Sequence, residues 1–512
     1  MQLCRGGYLM KNHHRKSPAE AETKSRHVSR RGLLQAAVMA PPLLGAFAAS
    51  SGAEEPSKAA MQTSRGRANA WSSIRQALHQ QAAQIKVFDT HEHIWHQDRR
   101  QKEAPDFFLL FSHYTSNDLI SAGIPDSVWK ATSGLQDHNI PLEQRWKSFA
   151  PYWQFTRTTG YGRCMLIAAR DLFGIDDINE RTFQTLSERI TTANRDPQWY
   201  NTVLKVKGGI YTSLLDDLAT LPGQPMNFDP KFFRIIVRLN YLVMAEPKTL
   251  NQIEEATGVS IGKLADLEKA LGQAFENAVQ QARGISPEGL AGIKCALAYN
   301  RTLAFDNVAR PDAERAFEGI FAKSDLGQQE QATHKALEDY MMHRLVEQCA
   351  EHDLPMQIHT GMQSGNRNHV AWTNPALLSD LLNEYPQVRF DIFHGGYPYL
   401  GEQATICKNN PNCYADLCWL HIISPSMARF HLHQLIDTVP GNKILGFGGD
   451  FLHVEGAYAH CKMAREITAD VLADKVEAGD LPENHAAFLL ERILYANGKE
   501  LFTKRSNQHG ES

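Results

Sequence analysis

Eight short apolar runs constrain the fold of this 512-residue chain more than any other feature. They cover residues 85–90, 203–211, 232–243, 290–299, 355–361, 389–396, 413–420 and 444–450, with helix-like patterns such as 330–350 and 486–501 between or after them. Strands that alternate with helices pair in parallel, and eight of them are the number that closes a barrel. The expected fold is therefore α/β, a (β/α)8 TIM barrel. The second and third runs are the weakest assignments, because the same stretches accommodate helices. The long interval between the first and second runs contains "LEQRWKSFAPYWQFTRTTGYGRCMLIAARDLFGI", with aromatic and aliphatic residues at helical spacing. It reads as a helical insertion after strand 1, about 100–200, laid over the barrel mouth.

Charge is distributed unevenly. Residues 1–49 hold eight Lys/Arg and two Asp/Glu, a local +6, so the formal charge of −4 leaves about −10 on the remainder. An acidic body argues against nucleic acid as the main partner. A small molecule fits better, in a chain that could also form a homo-oligomer. No apolar run is long enough for a membrane span. Ser29-Arg30-Arg31-Gly32-Leu33-Leu34 resembles a twin-arginine export signal, with Ala46-Phe47-Ala48 as a small-x-small cleavage site, so 1–49 is expected to direct the chain to the periplasm. A disordered basic tail is the alternative. Residues 50–69 read as a linker and 70–505 as the barrel. The eight cysteines form no C-x-x-C pair. Cys407 and Cys413 flank "KNNPN" and could be a disulfide or two thiols.

The chemistry concentrates at strand ends. In "VFDTHEHIW", His91 and His93 sit two apart on a strand, so both imidazoles share a face, as a metal requires. In "RFHLHQL", His431 and His433 have the same spacing, but the context is helical and the side chains diverge. Three further runs close on "QIHTG", "FHGGYP" and "FGGD", which place His359, His394 and Asp450 at strand ends. Barrel enzymes draw catalytic groups from the carboxyl ends of several strands.

That order, H-x-H, then His, His and Asp on later strands, resembles the amidohydrolase superfamily. "GIKCALAYNRTL", "QIHTG", "HGGYPY" and "NCYADL" are similar to the amidohydrolase-like domain fused to glutamine synthetase in nodulin and fungal proteins. "FAPYWQFTRTTGYGR" also has a fainter similarity to uronate isomerases. The resemblance implies a divalent metal, zinc first with manganese or iron as alternatives, on His91, His93, His359 and Asp450. One ion is favoured. A second would need carbamylated Lys294 as a bridge, with His394 as a further ligand. It also implies a hydrolase working through a metal-activated water, with Asp450 and His394 catalytic. Arg301 and Tyr299 are expected at a carboxylated substrate, although Arg301 could equally be an ion pair. Non-oxidative decarboxylation and uronate-type aldose–ketose isomerisation are the alternatives, and a non-catalytic metal-binding barrel is the outsider. Trp95, His96, Arg163, Gln357, His421 and His453 are weaker site candidates.

Overall fold

The architecture was analysed in a computed structural model, which describes residues 73–503 apart from 133–139, 217, 219–222 and 322–326; side chains are also left undescribed at 132 and 327–333. The expected export signal and the whole of the expected linker lie outside the described residues. Among the described residues, no helix is long and apolar enough to cross a membrane.

Eight parallel strands lie in sequential order: β1 Val87–Glu92, β2 Ile210–Asp216, β3 Phe233–Arg238, β4 Gly292–Cys295, β5 Met356–His359, β6 Phe390–Phe393, β7 Cys413–Asp416 and β8 Ile444–Leu445. Most of their residues are buried, because one face looks into the barrel and the other lies under helices. The first and last strands meet through backbone bonds beyond the end of β8. Thr90 N donates to Phe447 O at 3.0 Å, Asp450 N to His91 O at 2.8 Å, and His93 N to Phe451 O at 2.9 Å. The sequence Gly446-Phe447-Gly448-Gly449 permits that approach. A Cβ on Gly449 would lie 1.8 Å from Glu92 Oε1, and one on Gly448 would lie 2.6 Å from both Thr90 Oγ1 and Cys418 Sγ. Asn497–Leu501 and Phe502 close against Phe88, Leu214, Ile236 and Leu445, which come from four strands.

Two strand assignments need correction. Residues 201–207 form a wide helical turn, and the second strand begins at Ile210, after Gly208 and Gly209. In 232–243, the strand stops at Arg238 and Asn240–Met244 is helical. Both stretches are rich in β-branched and aliphatic residues, so periodicity alone does not separate strand from helix.

Between β1 and β2, the chain forms a helical roof. Leu142–Thr156 buries Trp146, Phe149 and Trp153 at helical spacing, and Gly160–Phe173 buries Tyr161, Cys164, Met165 and Ala168. These side chains belong to one apolar cluster that continues into Phe393, Cys418, Trp419 and Phe451. The roof is thus packed onto the carboxyl ends of β6, β7 and β8.

Candidate metal centre

His91 lies in β1, and His93 is the first residue beyond its end. Their Nε2 atoms face each other at 3.3 Å. Asp450 Oδ1 stands 3.1 Å from His93 Nε2 and 3.7 Å from His91 Nε2, while Oδ2 lies 3.7 Å from His394 Nε2. His394 Nε2 in turn faces His359 Nδ1 at 3.1 Å. The first three side chains therefore converge, and His359 joins them through His394.

The opposite ring nitrogens decide what this convergence means. His93 Nδ1 lies 2.7 Å from the Asp216 carbonyl, His359 Nε2 lies 2.9 Å from that of Met362, and His394 Nδ1 lies 3.3 Å from that of Cys418. A carbonyl only accepts, so each of these nitrogens carries the hydrogen. His91 Nδ1 faces Gln357 Oε1 at 2.6 Å, and the amide orientation is fixed because Gln357 Nε2 donates to Thr90 O at 3.0 Å and Asp391 Oδ2 at 2.7 Å. In the metal-binding form, with hydrogen only on these outer nitrogens, His91, His93 and His394 turn lone pairs toward Asp450 and His359 turns one toward His394. Lone pairs at 3.1–3.3 Å repel unless a cation or proton lies between them. Asp450 Oδ1 is buried without a hydrogen-bond partner. A divalent cation fits this donor set, and the anchored N–H groups are the outer support that metal-binding imidazoles require.

The protonation states agree. Burial and the nearby Lys294 hold His91 well below the usual imidazole range, and burial with Lys294 brings His394 down to about 3. His359 is lowered by burial and by His394 beside it. Burial would raise Asp450, but His93 in contact with it and the neighbouring His91 and His394 outweigh that and hold it well below the usual carboxylate range. Neutral imidazoles and an anionic carboxylate are the forms in which these groups bind a metal. A second grouping, His394, Cys418 and Asp450, shares the carboxylate. Burial and Asp450 raise the Cys418 thiol well above its usual range, so it is a poor ligand.

Backbone conformation marks the same rim. His394, Trp419 and Asp450, beyond the ends of β6, β7 and β8, have φ of 73°, 64° and 59°. Non-glycine residues in this region cost about 1–3 kcal/mol each and cluster at functional sites.

Not every expected residue comes to this centre. Tyr299 does: its ring lies 4.6 Å from that of His359, and its hydroxyl accepts from Ser364 N at 3.0 Å. The substrate role expected for Arg301 is corrected to the ion-pair alternative. Its guanidinium is buried, pairs with Glu338 at 2.9 Å and with Asp339, and donates to Thr302 O and Ala304 O. Lys294 Nζ sits 3.6 Å over the Phe393 ring rather than between ligands, and burial lowers its pKa to about 8. Of the weaker candidates, Gln357 is part of the centre. His96 and His453 cap helices, and His421 pairs with His460, whose Nδ1 donates to Gly449 O beside Asp450. Trp95 packs under Arg99, and Arg163 is exposed on its helix. On the helix Pro425–Thr438, His431 bonds Gln403 and His433 bonds Asp474, diverging as expected.

Four neighbours escaped sequence reasoning. Asp216 supports His93 through its carbonyl, lies 3.9 Å from His91 Nε2 through its carboxylate, and pairs with Arg238 at 2.6 Å. It ends β2 and was hidden by the misplaced second strand. His113, with Nδ1 buried and unpartnered, lies 6.5 Å from the His93 ring. Tyr114 and Trp419 stack at 4.3 Å, with Trp419 against His394 at 5.1 Å. His113 and Tyr114 come from the roof, where no strand-end pattern points to them.

The sequence of residues 293–503, which carries Lys294, His359, His394 and Asp450, matches the family model described as Amidohydrolase. Over that part of the barrel the chain is similar to the amidohydrolase family. Its members depend on metal, in keeping with the donor set above. Protein fluG of Emericella nidulans is 24% identical over 320 residues, 59% of this chain and 36% of that protein, so the chain spans about a third of that relative's length. Among solved structures, a uronate isomerase from Thermotoga maritima superposes with a TM-score of 0.65 at 18% identity, covering 84% of this chain and 97% of the other. Glucuronate isomerase from Caulobacter crescentus gives 0.68 at 17%, covering 85% and 95%. A putative metal-dependent hydrolase from Lactobacillus casei gives 0.55 at 18%, covering 83% and 97%. At these identities, the likeness is one of fold.

Proposed function

We propose that this chain is an amidohydrolase-superfamily hydrolase that uses one divalent ion, zinc first, to cleave a C–N or ester bond in a small anionic substrate. One observation carries the reading: three outward-anchored imidazoles, His91, His93 and His394, turn their free nitrogens on an ionised, unpartnered Asp450, and His359 joins them against His394. A cation held by His91, His93, His359 and Asp450 would polarise a substrate carbonyl and make water more acidic. Asp450 provides the base, since it stays anionic and its Oδ1 is available to receive a proton from water. His394, neutral with Nδ1–H fixed on Cys418 O, holds its Nε2 3.7 Å from Asp450 Oδ2. It can take the proton that Asp450 collects and pass it to the leaving group. With Arg301 engaged elsewhere, Arg238 is the guanidinium beside the centre that would attract an anionic group; Nε and Nη2 hold Asp216.

Isomerisation of a uronate is the second reading, favoured by superposition across the roof as well as the barrel on two uronate isomerases. The two separate in one assay. Chain stripped with chelator and reloaded with zinc or manganese is offered amide, ester and lactone libraries alongside hexuronates, with acid release and ketose formation both measured. Metal-dependent acid release supports the hydrolase, ketose formation transfers the assignment to the isomerase, and turnover unaffected by chelation rejects both.

A further inference from the structure

The Cys407 and Cys413 side chains meet away from the metal centre. Cys407 lies on the helix Leu400–Asn409, and Cys413 is the first residue of β7. Their sulfurs are 3.1 Å apart and both side chains are fully buried. Two non-bonded sulfurs at that distance are already inside ordinary van der Waals contact, so the two side chains point at each other and are close to bonding approach. A second observation concerns the loop between them. Lys443 Nζ donates to Cys407 O and, at 2.6 Å, to Asn410 O, which fixes the turn 408–412 and places an ammonium beside the sulfurs. Burial and the Cys413 thiol beside it nonetheless hold the Cys407 thiol well above its usual range, with Lys443 acting the other way, so the attacking thiolate forms where the helix opens rather than in the closed chain.

We infer that Cys407 and Cys413 are a built site for an intrachain disulfide, formed by exchange with a low-molecular-weight disulfide. One thiolate attacks the reagent, whose S–S bond breaks and releases one thiol. The second cysteine then attacks the mixed disulfide and releases the other. Two S–H bonds are lost, one S–S bond is formed, and the two electrons and two protons leave as two molecules of reduced reagent. The new bond ties the helix to β7. That helix also carries Gln403, which donates to Ile392 O of β6 at 2.6 Å and is itself held by His431 at 2.7 Å. The cross-link thus braces the outer support of the two strands that lead to His394 and Trp419. It touches none of the ligands, so it raises stability without altering metal binding. Burial of both sulfurs makes formation slow in the folded chain and faster where the helix opens.

Lys408 lies between the two cysteines, so trypsin distinguishes the states. Full-length chain is incubated with oxidised glutathione, in native buffer and in sub-denaturing urea, then denatured, alkylated with iodoacetamide and digested. The expected product is one cross-linked species joining the peptide ending at Lys408 to the peptide beginning at Asn409, with an intact-mass loss of about 2 Da. The oxidised chain should melt a few degrees above the reduced one, and Cys413→Ser should abolish both the linkage and the shift. Both cysteines recovered as alkylated or glutathione-bound peptides in both buffers would overturn the inference, as would linkage of either to a different cysteine.

Discussion

Gln357 offers the sharpest perturbation of the centre, because it touches the metal only through His91. It is fully buried and makes three hydrogen bonds, to His91 Nδ1, Thr90 O and Asp391 Oδ2. Gln357→Leu keeps similar volume and removes all three. Without the acceptor, His91 loses the bond that keeps hydrogen on Nδ1 and the lone pair on Nε2. Outer partners of metal-binding histidines are worth about 10–100-fold in affinity, which converts to about 1.4–2.8 kcal/mol. Separately, the Thr90 carbonyl and the Asp391 carboxyl lose a donor in the barrel interior, at about 1–3 kcal/mol of stability. Two assays divide the effects. Competition with a fluorescent chelator reads the zinc affinity of the loaded protein, and urea unfolding of the metal-free protein reads the fold. Gln357→Glu restores an acceptor toward His91 and should recover part of the affinity. The reasoning is refuted if Gln357→Leu folds normally and binds zinc as tightly as the parent.

Other outcomes follow from the same geometry. Arg301→Ala should cost about 3–5 kcal/mol in urea unfolding, because Glu338 is left buried without its guanidinium and Asp339 keeps only Lys335, yet metal content should not change; a loss of metal would return Arg301 to the site. Gly449→Ala places a methyl 1.8 Å from Glu92 Oε1 and should destabilise by about 1–3 kcal/mol or abolish soluble expression, whereas an unaltered melting curve would contradict the close approach of β8 to β1. Asp470 joins the helix that begins the described chain to two later helices: burial would raise its pKa, but bonds from Arg429, His79 and Arg75 outweigh that and bring it to about 2. Because the folded value is depressed, its contribution is complete above the unfolded value near ~4 and is lost as pH falls toward 2. Asp470→Asn should therefore flatten the acid limb of the stability profile between those values, and an unchanged limb would exclude this carboxylate from acid unfolding.

The barrel was legible because six of its eight strands are apolar runs bounded by turn residues, and because His359, His394 and Asp450 each close one of them. Spacing alone made His91 and His93 a pair, and context separated them from His431 and His433. What was not legible has physical causes. Residues 201–207 carry Val203, Leu204 and Val206, which suit a strand as well as the helical turn they form, so Asp216 was not recognised as a strand end. Arg301 sits in a loop beside a strand, where nothing local reveals that Glu338 and Asp339, far along the chain, neutralise it. His113 and Tyr114 reach the centre only because the roof folds back across the rim, a tertiary contact with no periodic signature.

The most direct test is X-ray absorption at the metal edge of the zinc-loaded chain. Imidazoles and one carboxylate gripping the ion would give a first shell of nitrogen and oxygen at about 2.0–2.1 Å, with outer-shell scattering from at least three rings. A sulfur shell near ~2.3 Å, or scattering from fewer than two imidazoles, would contradict the assignment of His91, His93, His359 and Asp450.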